Sequence, residues 1–275
     1  VKGINVIISG HTHTLLENPV IVNGTAIVQA GEYGQYVGKL SLTYKNGKTT
    51  IDSYSLIPVD DRIAGNTVIN ELIENQEKLI DQEILLPLGM NYEKGIVEND
   101  FLLECDWEGA FTESNLGPLV ADAIHSYINR HTTKGTDMSL VATGVIRDKL
   151  VPGLQSAPDI FRIMSMGRGE DAVPGYPLAK VFVTGKELKR VLEIMQIAYK
   201  SSPDNYCFYS GIRVEYDPKK IVLKKIKKID IVRPDGTTDN VDFSKKNNTL
   251  YSITANSYIL EFVGIIKKMS FGLIN

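Results

Sequence analysis

"ISGHTHTLL", residues 8–16, puts two histidines one residue apart, directly after a glycine and an apolar run. Residues 4–9, "INVIIS", are apolar and β-branched and end at Gly10, so they read as a short buried strand whose C-terminal end feeds a loop. In α/β sheets that end of a strand is where sites are built. If the chain stays extended through residues 11–13, alternate side chains project to one side, so that His11 and His13 share a site and Thr12 faces away. Neutral imidazole is the commonest side-chain metal ligand, and Gly10 lets the backbone approach closely. Two donors alone hold a divalent ion weakly, because most sites need three or more. On spacing alone the pair is either a set of metal donors with partners elsewhere or a pair of hydrogen-bonded loop histidines.

Beyond the pair, "AIVQAGEYGQYVGKLSLTYKNGKTTIDSYSLIPV" (26–59) alternates apolar and polar residues at Leu40, Leu42 and Tyr44 around an Asn46-Gly47 turn, which predicts a hairpin. From Asn66 to about Leu86, apolar residues at Val68, Ile69, Leu72, Ile73, Leu79, Ile80 and Ile84 follow a helical period, and Pro87 and Gly89 end it. A long helix between a strand-rich block and a differently organised remainder is a candidate connector. Further on, "ESNLGPLVADAIHSYINRHT" predicts a helix with an N-cap at Ser114 or Asn115, "DMSLVATG" a strand into a glycine turn, and "LAKVFVTGKELKRVLEIMQIAYK" a strand, a turn and a helix. "SGIRVEYDP", "IKKIDIVRPDG" and "LYSITANSYIL" read as strands separated by turns. The mixed order makes the fold class α/β (α+β).

With 43% hydrophobic and 23% charged residues, the chain has the composition of a folded globular protein. A net charge of -3 gives no overall reason to expect nucleic acid as a partner, and "KKIVLKKIKKID" (219–230) interleaves lysines with Ile and Val as a solvated strand face does. No apolar run reaches the roughly 18 residues that a membrane span needs. Cys105 and Cys207 lack metal-site or disulfide-framework spacing and read as plain thiols. His125 and His131, in or beside the second helix, read as ordinary surface or core histidines. The opening residues lack an initiator Met and a signal cleavage site, so the chain is expected to begin within a domain.

"GINVIISGHTHTLLENP" (3–19) resembles the closing metal-binding motif of the calcineurin-like metallophosphoesterases, an apolar strand running into Gly-His-x-His. "FTESNLGPLVADAI" (111–124), "TGVIRDKLVPG" (143–153), "TGKELKRVLE" (184–193) and "SGIRVEYD" (210–217) resemble successive segments of the C-terminal domain of the 5′-nucleotidase family, which includes the UDP-sugar hydrolases. The resemblance covers nearly the whole chain, in order. It implies three parts: residues 1–64 as the C-terminal edge of a metallophosphoesterase β-sandwich, 65–95 as a linker helix and connector, and 96–275 as a complete mixed α/β substrate-binding domain.

The resemblance also implies a function: hydrolysis of 5′-nucleotides or related phosphate esters, periplasmic or extracellular. Two divalent ions, such as zinc or manganese, would polarise the phosphoryl oxygens and lower the pKa of a bound water. His11 and His13 would each bind one. The family's earlier ligands, an Asp-x-His, a bridging Asp, an Asn-His-Glu and a further His, have no match in this chain, so by itself it is expected to be inactive and without bound metal. The substrate residues carry over as Gly144 and Arg147 of the Gly-Val-Ile-Arg turn, with Thr143 where the family has Asn. A guanidinium suits oxyanions through its planar fork, though an arginine can equally make a structural ion pair. Tyr258 aligns with one ring of the family's base clamp and reads equally as a core tyrosine. The other ring should sit where Pro174 stands, with Tyr176 two residues on as the candidate substitute. Thr112 stands in place of a second binding arginine, "EFVG" (261–264) replaces Gly-Gly-Asp-Gly, and Glu113, Asn115 and Gly117 fit a structural helix start. These departures keep open another nucleotide-like substrate, such as a nucleotide-sugar or cyclic nucleotide, or a non-catalytic binding module on the surface.

Overall fold

The computed structural model describes residues 3–105, 114–170, 172–198, 200, 203–221 and 223–259. The fold is mixed α/β, and the chain divides into two compact units, Val1–Glu77 and Lys78–Asn275.

The first unit holds strands β1 (Val6–Ile8), β2 (Val20–Val22), β3 (Thr25–Val28), β4 (Tyr36–Lys45) and β5 (Lys48–Pro58) and most of helix α1 (Thr67–Ile80). β3 lies between β1, to which it is parallel, and β2, to which it is antiparallel. The expected buried strand is shorter and more exposed than its composition implies: Ile7 is 39% and Ile8 87% exposed. β1 is an edge strand, and the buried apolar positions of this sheet, Ala26 and Val28, belong to β3. The predicted hairpin is present as β4 and β5, closed by Asn46 and Gly47 with φ of 52° and 77°, the left-handed pair that a two-residue turn requires. Asn66 caps α1, its Oδ1 accepting from the amides of Val68 and Ile69 at 3.0 and 3.2 Å. The helix continues as a π turn over Asp81–Leu85 and a 3₁₀ turn over Leu86–Leu88, and left-handed Gly89 ends it.

The second unit adds β6 (Gly95–Asn99), α2 (Leu116–His131), β7 (Met138–Ala142), β8 (Gly153–Ser156), α3 (Ala157–Ile163), β9 (Leu178–Thr184), α4 (Gly185–Ala198), β10 (Cys207–Ser210), β11 (Ile212–Tyr216), β12 (Ile226–Val232), β13 (Thr238–Asn240) and β14 (Leu250–Asn256). Its centre is a four-stranded sheet in the order β10-β7-β14-β9, in which β7 and β14 run parallel and the outer pairs antiparallel. Every residue of β7 is buried, and its side chains alternate between two cores. Met138, Leu140 and Ala142 join Leu188, Leu192 and Met195 of α4 and Ile229 and Ile231 of β12, while Val141 joins Leu116 and Ala121 of α2 and Phe208 of β10. Gly117 makes the α2 contact possible, since a Cβ there would lie 2.1 Å from the Phe208 ring. In β12, Lys227 and Lys228 point outward and Ile226, Ile229 and Ile231 inward, the strand face expected of that lysine-rich segment.

Asn115 holds the N-cap position of α2 but does not cap it. Its side chain instead bridges the segment before the helix, accepting from the Glu104 amide and donating to the Leu102 carbonyl, both at 2.8 Å. Glu113 and Thr112 lie outside the described residues.

One end of the central sheet is closed by Asp137. Its Oδ2 accepts from the amide and hydroxyl of Ser252, each at 2.8 Å, and its Oδ1 from Arg233 Nη1 at 2.8 Å. Burial alone would raise the pKa of Asp137, but the Ser252 bonds and the Arg233 guanidinium together outweigh it and hold the carboxyl below its ordinary value. The carboxylate's contribution to stability is therefore complete above the ordinary aspartate pKa of about 3.9 and is lost as pH falls through the lower native value. Asp137→Ala is expected to cost about 2 kcal/mol at neutral pH in urea unfolding and to flatten the acid limb of stability below about pH 4.

Candidate functional site

The opposite end of the same sheet gathers four segments that are far apart in sequence. In the sheet register Ala142 stands opposite Cys207, and Asn256 opposite Leu178. The residues after β7 (143–147) and β14 (257–258) therefore emerge beside those before β10 (203–206) and β9 (176–177). Backbone bonds fasten them: Thr143 N donates to the Tyr206 carbonyl at 2.8 Å, and Ser257 N to the Pro177 carbonyl at 2.9 Å.

Thr143, Gly144 and Val145 form one 3₁₀ turn, entirely buried. The Thr143 hydroxyl donates to the Pro203 carbonyl at 2.6 Å, which ties the turn to the 203–205 turn. A Cβ on Gly144 would lie 3.2 Å from the Asp204 carbonyl oxygen and 3.4 Å from the Tyr258 hydroxyl, so the bare backbone permits this approach. Arg147 is anchored through its main chain, N donating to the Ile163 carbonyl at 2.7 Å, and its Nη1 reaches back to the Gly144 carbonyl at 3.4 Å.

Tyr176 and Tyr258 meet at this end, ring centroids 5.7 Å apart and planes inclined by 44°. The Tyr176 ring lies on the backbone of Gly167, whose φ is 89° and where a Cβ would come within 2.5 Å of the ring. Burial pushes the Tyr258 phenol up, Asp204 and Tyr176 add to the shift, and Arg147 opposes it, so the phenol is neutral at physiological pH. Asp204 belongs to this cluster and was not singled out from the sequence; a Pro-Asp-Asn turn just before a strand was its one local signal. Cys207 is a free thiol, pushed up to about 12 by burial, and is not a nucleophile. The "EFVG" segment lies outside the described residues.

His11 and His13 occupy a loop, and both have left-handed backbone, with φ of 68° and 58°. The extended geometry expected of residues 11–13 is therefore not the one adopted, because Thr12 N turns back to donate to the Gly10 carbonyl at 2.8 Å. His13 Nδ1 pairs with Glu32 Oε2 at 2.5 Å. Among the described residues no group of three or more His, Cys, Asp or Glu could hold a metal ion. The two histidines with Glu32 do not by themselves fit a metal. His131 Nδ1 bonds the Tyr127 carbonyl at 2.9 Å and its ring stacks on Tyr127, while burial lowers the pKa of His125 against the pull of Asp122 and Asp137.

The family model described as "5′-nucleotidase, C-terminal domain" matches residues 104–265. The chain is 23% identical, over 94% of its length, to the trifunctional nucleotide phosphoesterase protein YfkN of Bacillus subtilis, of which it spans 17%. It is 28% identical, over 78% of its length, to the uncharacterized metallophosphoesterase YunD of the same organism, of which it spans 44%. Among solved structures, a 5′-nucleotidase precursor from Thermus thermophilus superposes with a TM-score of 0.67 at 21% identity, covering 94% of this chain and 50% of that one.

Gly167→Ala tests how the two rings are set. Left-handed backbone costs a residue with a Cβ about 1–2 kcal/mol, and the added methyl must push the Tyr176 ring aside. Urea unfolding is expected to show that loss, and the aromatic resonances of Tyr176 and Tyr258 to shift while those of tyrosines in the other unit, such as Tyr54, stay in place.

Proposed function

Since the chain belongs to the 5′-nucleotidase C-terminal-domain family, we propose that its second unit is the substrate-binding domain of a phosphoesterase acting on 5′-nucleotides or related phosphate esters. The observation that carries this reading is the convergence of Arg147, the Gly144 turn and two tyrosine rings at one end of one sheet, all within the residues that match the family. In this reading the Arg147 guanidinium meets an anionic oxygen of the ligand, and Tyr176 and Tyr258 flank its base. The buried Thr143 hydroxyl serves the turn rather than reaching the ligand directly. A flat base between two ring faces needs about 7 Å, two van der Waals separations, so rings 5.7 Å apart must part slightly to admit one.

The three-part division, at 1–64, 65–95 and 96–275, belongs to the same reading and is supported by the separation of two compact units within the connector. His11 and His13 are proposed as donors to divalent metal, with the remaining donors supplied from outside the described residues. The name of the metallophosphoesterase relative supports this, and a metal-activated water would supply the nucleophile. No helix among the described residues is long and apolar enough to cross a membrane. A location outside the cytoplasm rests on resemblance alone. The second reading is a binding module without catalysis, favoured by the gathering of Arg147 and two tyrosine rings in the second unit, an arrangement that suits holding a ligand.

Calorimetric titration of this chain with nucleoside monophosphates, nucleotide-sugars and free nucleosides tests the binding reading, and phosphate release by the full-length protein with added Mn²⁺ or Zn²⁺ separates enzyme from module. Nucleotide binding is expected, and absence of heat with every nucleotide would refute the site. Tyr258→Ala should weaken binding by about tenfold, the worth of one stacked base, whereas Tyr258→Phe should keep most of it. Arg147→Ala should weaken nucleotides while leaving the affinity for free nucleosides nearly unchanged.

A further inference from the structure

Loop 9–16 is held at both ends by β3 and the residues that follow it. Ser9 N donates to the Val28 carbonyl at 2.8 Å, Leu16 N to the Gln29 carbonyl at 3.1 Å, and Leu15 forms an antiparallel bridge with Ala30. Inside this frame sits one buried polar side chain, Gln29, only 5% exposed. A carboxamide has two orientations, and the network decides between them. With its oxygen toward the loop, Gln29 accepts from the amides of His13 and Thr14 at 3.0 and 2.7 Å, while its nitrogen donates to the hydroxyls of Thr12 and Ser9 at 3.1 and 3.2 Å. In this orientation both ends of the carboxamide are satisfied. The opposite one sets its oxygen against acceptors and its nitrogen against amide donors.

We infer that Gln29 is the positioning residue of the histidine loop: its carboxamide, bonded to both amides and both hydroxyls, fixes the left-handed backbone from which His11 and His13 project. Two left-handed residues with side chains cost about 1–2 kcal/mol each, so the loop would not hold this shape without an internal partner. Gln29 provides one oxygen that serves two successive amide donors, an arrangement that backbone carbonyls at the loop ends cannot reproduce. Glu32 then acts on the side chain: its bond at Nδ1 fixes the His13 ring and leaves Nε2 as the nitrogen for a ligand. The value of this arrangement for catalysis rests on the reading of the two histidines as metal donors, but its test does not.

Amide hydrogen exchange on this chain, resolved by residue, provides that test. Gln29→Met keeps the shape and removes the polar atoms. The amides of His13 and Thr14 should then exchange at least about tenfold faster, while those of Ser9 and Ala26, which bond to backbone carbonyls, keep their parental rates. Gln29→Glu retains an oxygen opposite both amides and should restore their protection. Unchanged rates at His13 and Thr14 in Gln29→Met would overturn the assignment. So would equal acceleration at Ser9 and Ala26, which would make Gln29 an ordinary core residue. A separate Zn²⁺ titration of the unmodified chain, followed through the imidazole resonances of His11 and His13, reports whether the two histidines draw a metal without further donors, and neither result alters what the exchange rates decide.

Discussion

The parallel pairing of β7 with β14 is the constraint on which the second unit depends. Ile253 stands opposite Met138 and Ala255 opposite Leu140, across more than a hundred residues of intervening chain. Closing a loop of that length costs on the order of 4 kcal/mol in chain entropy. Burial on both faces offsets it: β7 is buried throughout, and six of the seven residues of β14 are buried. Asp137 locks the start of β7 to Ser252 of β14, so the register is set by a half-buried carboxylate as well as by the ladder.

Setting that register at one end determines what lies at the other. Because β7 and β14 are parallel, the residues that follow both of them leave the sheet on the same side. Their antiparallel neighbours, β10 and β9, begin there. A turn holding Gly144, a turn holding Asp204, and two tyrosines from separate segments are thereby brought together without any of them being close in sequence. A one-residue slip of β14 would turn its buried side chains to the other face and carry Tyr258 away from Tyr176.

How much of this was legible follows the range of the interactions. The β4–β5 hairpin, the capped helix after Asn66 and the α4 helix rest on local period and turn chemistry, and the sequence reveals them. The histidine loop was visible as a motif, but its shape was not. His11 and His13 adopt left-handed backbone because Gln29 and Thr12 fold the segment inward, and that contact spans sixteen residues with no periodic signature. Asn115 illustrates the same point, since its cap position was readable and its actual partners, Leu102 and Glu104, lie on a separate segment. The pairing of Tyr176 with Tyr258 could be proposed from resemblance, yet only the β9–β14 register brings the two together.

The chemistry at the sheet end also bears on the kind of recognition it can support. Stacking on tyrosine faces is tolerant of base identity, because every base offers a flat face. Base discrimination requires a polar group at fixed distance whose loss leaves a buried atom unpaired. Of the polar groups gathered at this end, the Thr143 hydroxyl is committed to the Pro203 carbonyl. The Tyr258 phenol is pushed up by burial and by Asp204 against the pull of Arg147, and so remains neutral. In the proposed reading, the Arg147 guanidinium and the two rings would grip the parts that all nucleotides share. On that physical ground the proposed site would bind nucleotides as a class, with selection among bases left to groups other than these.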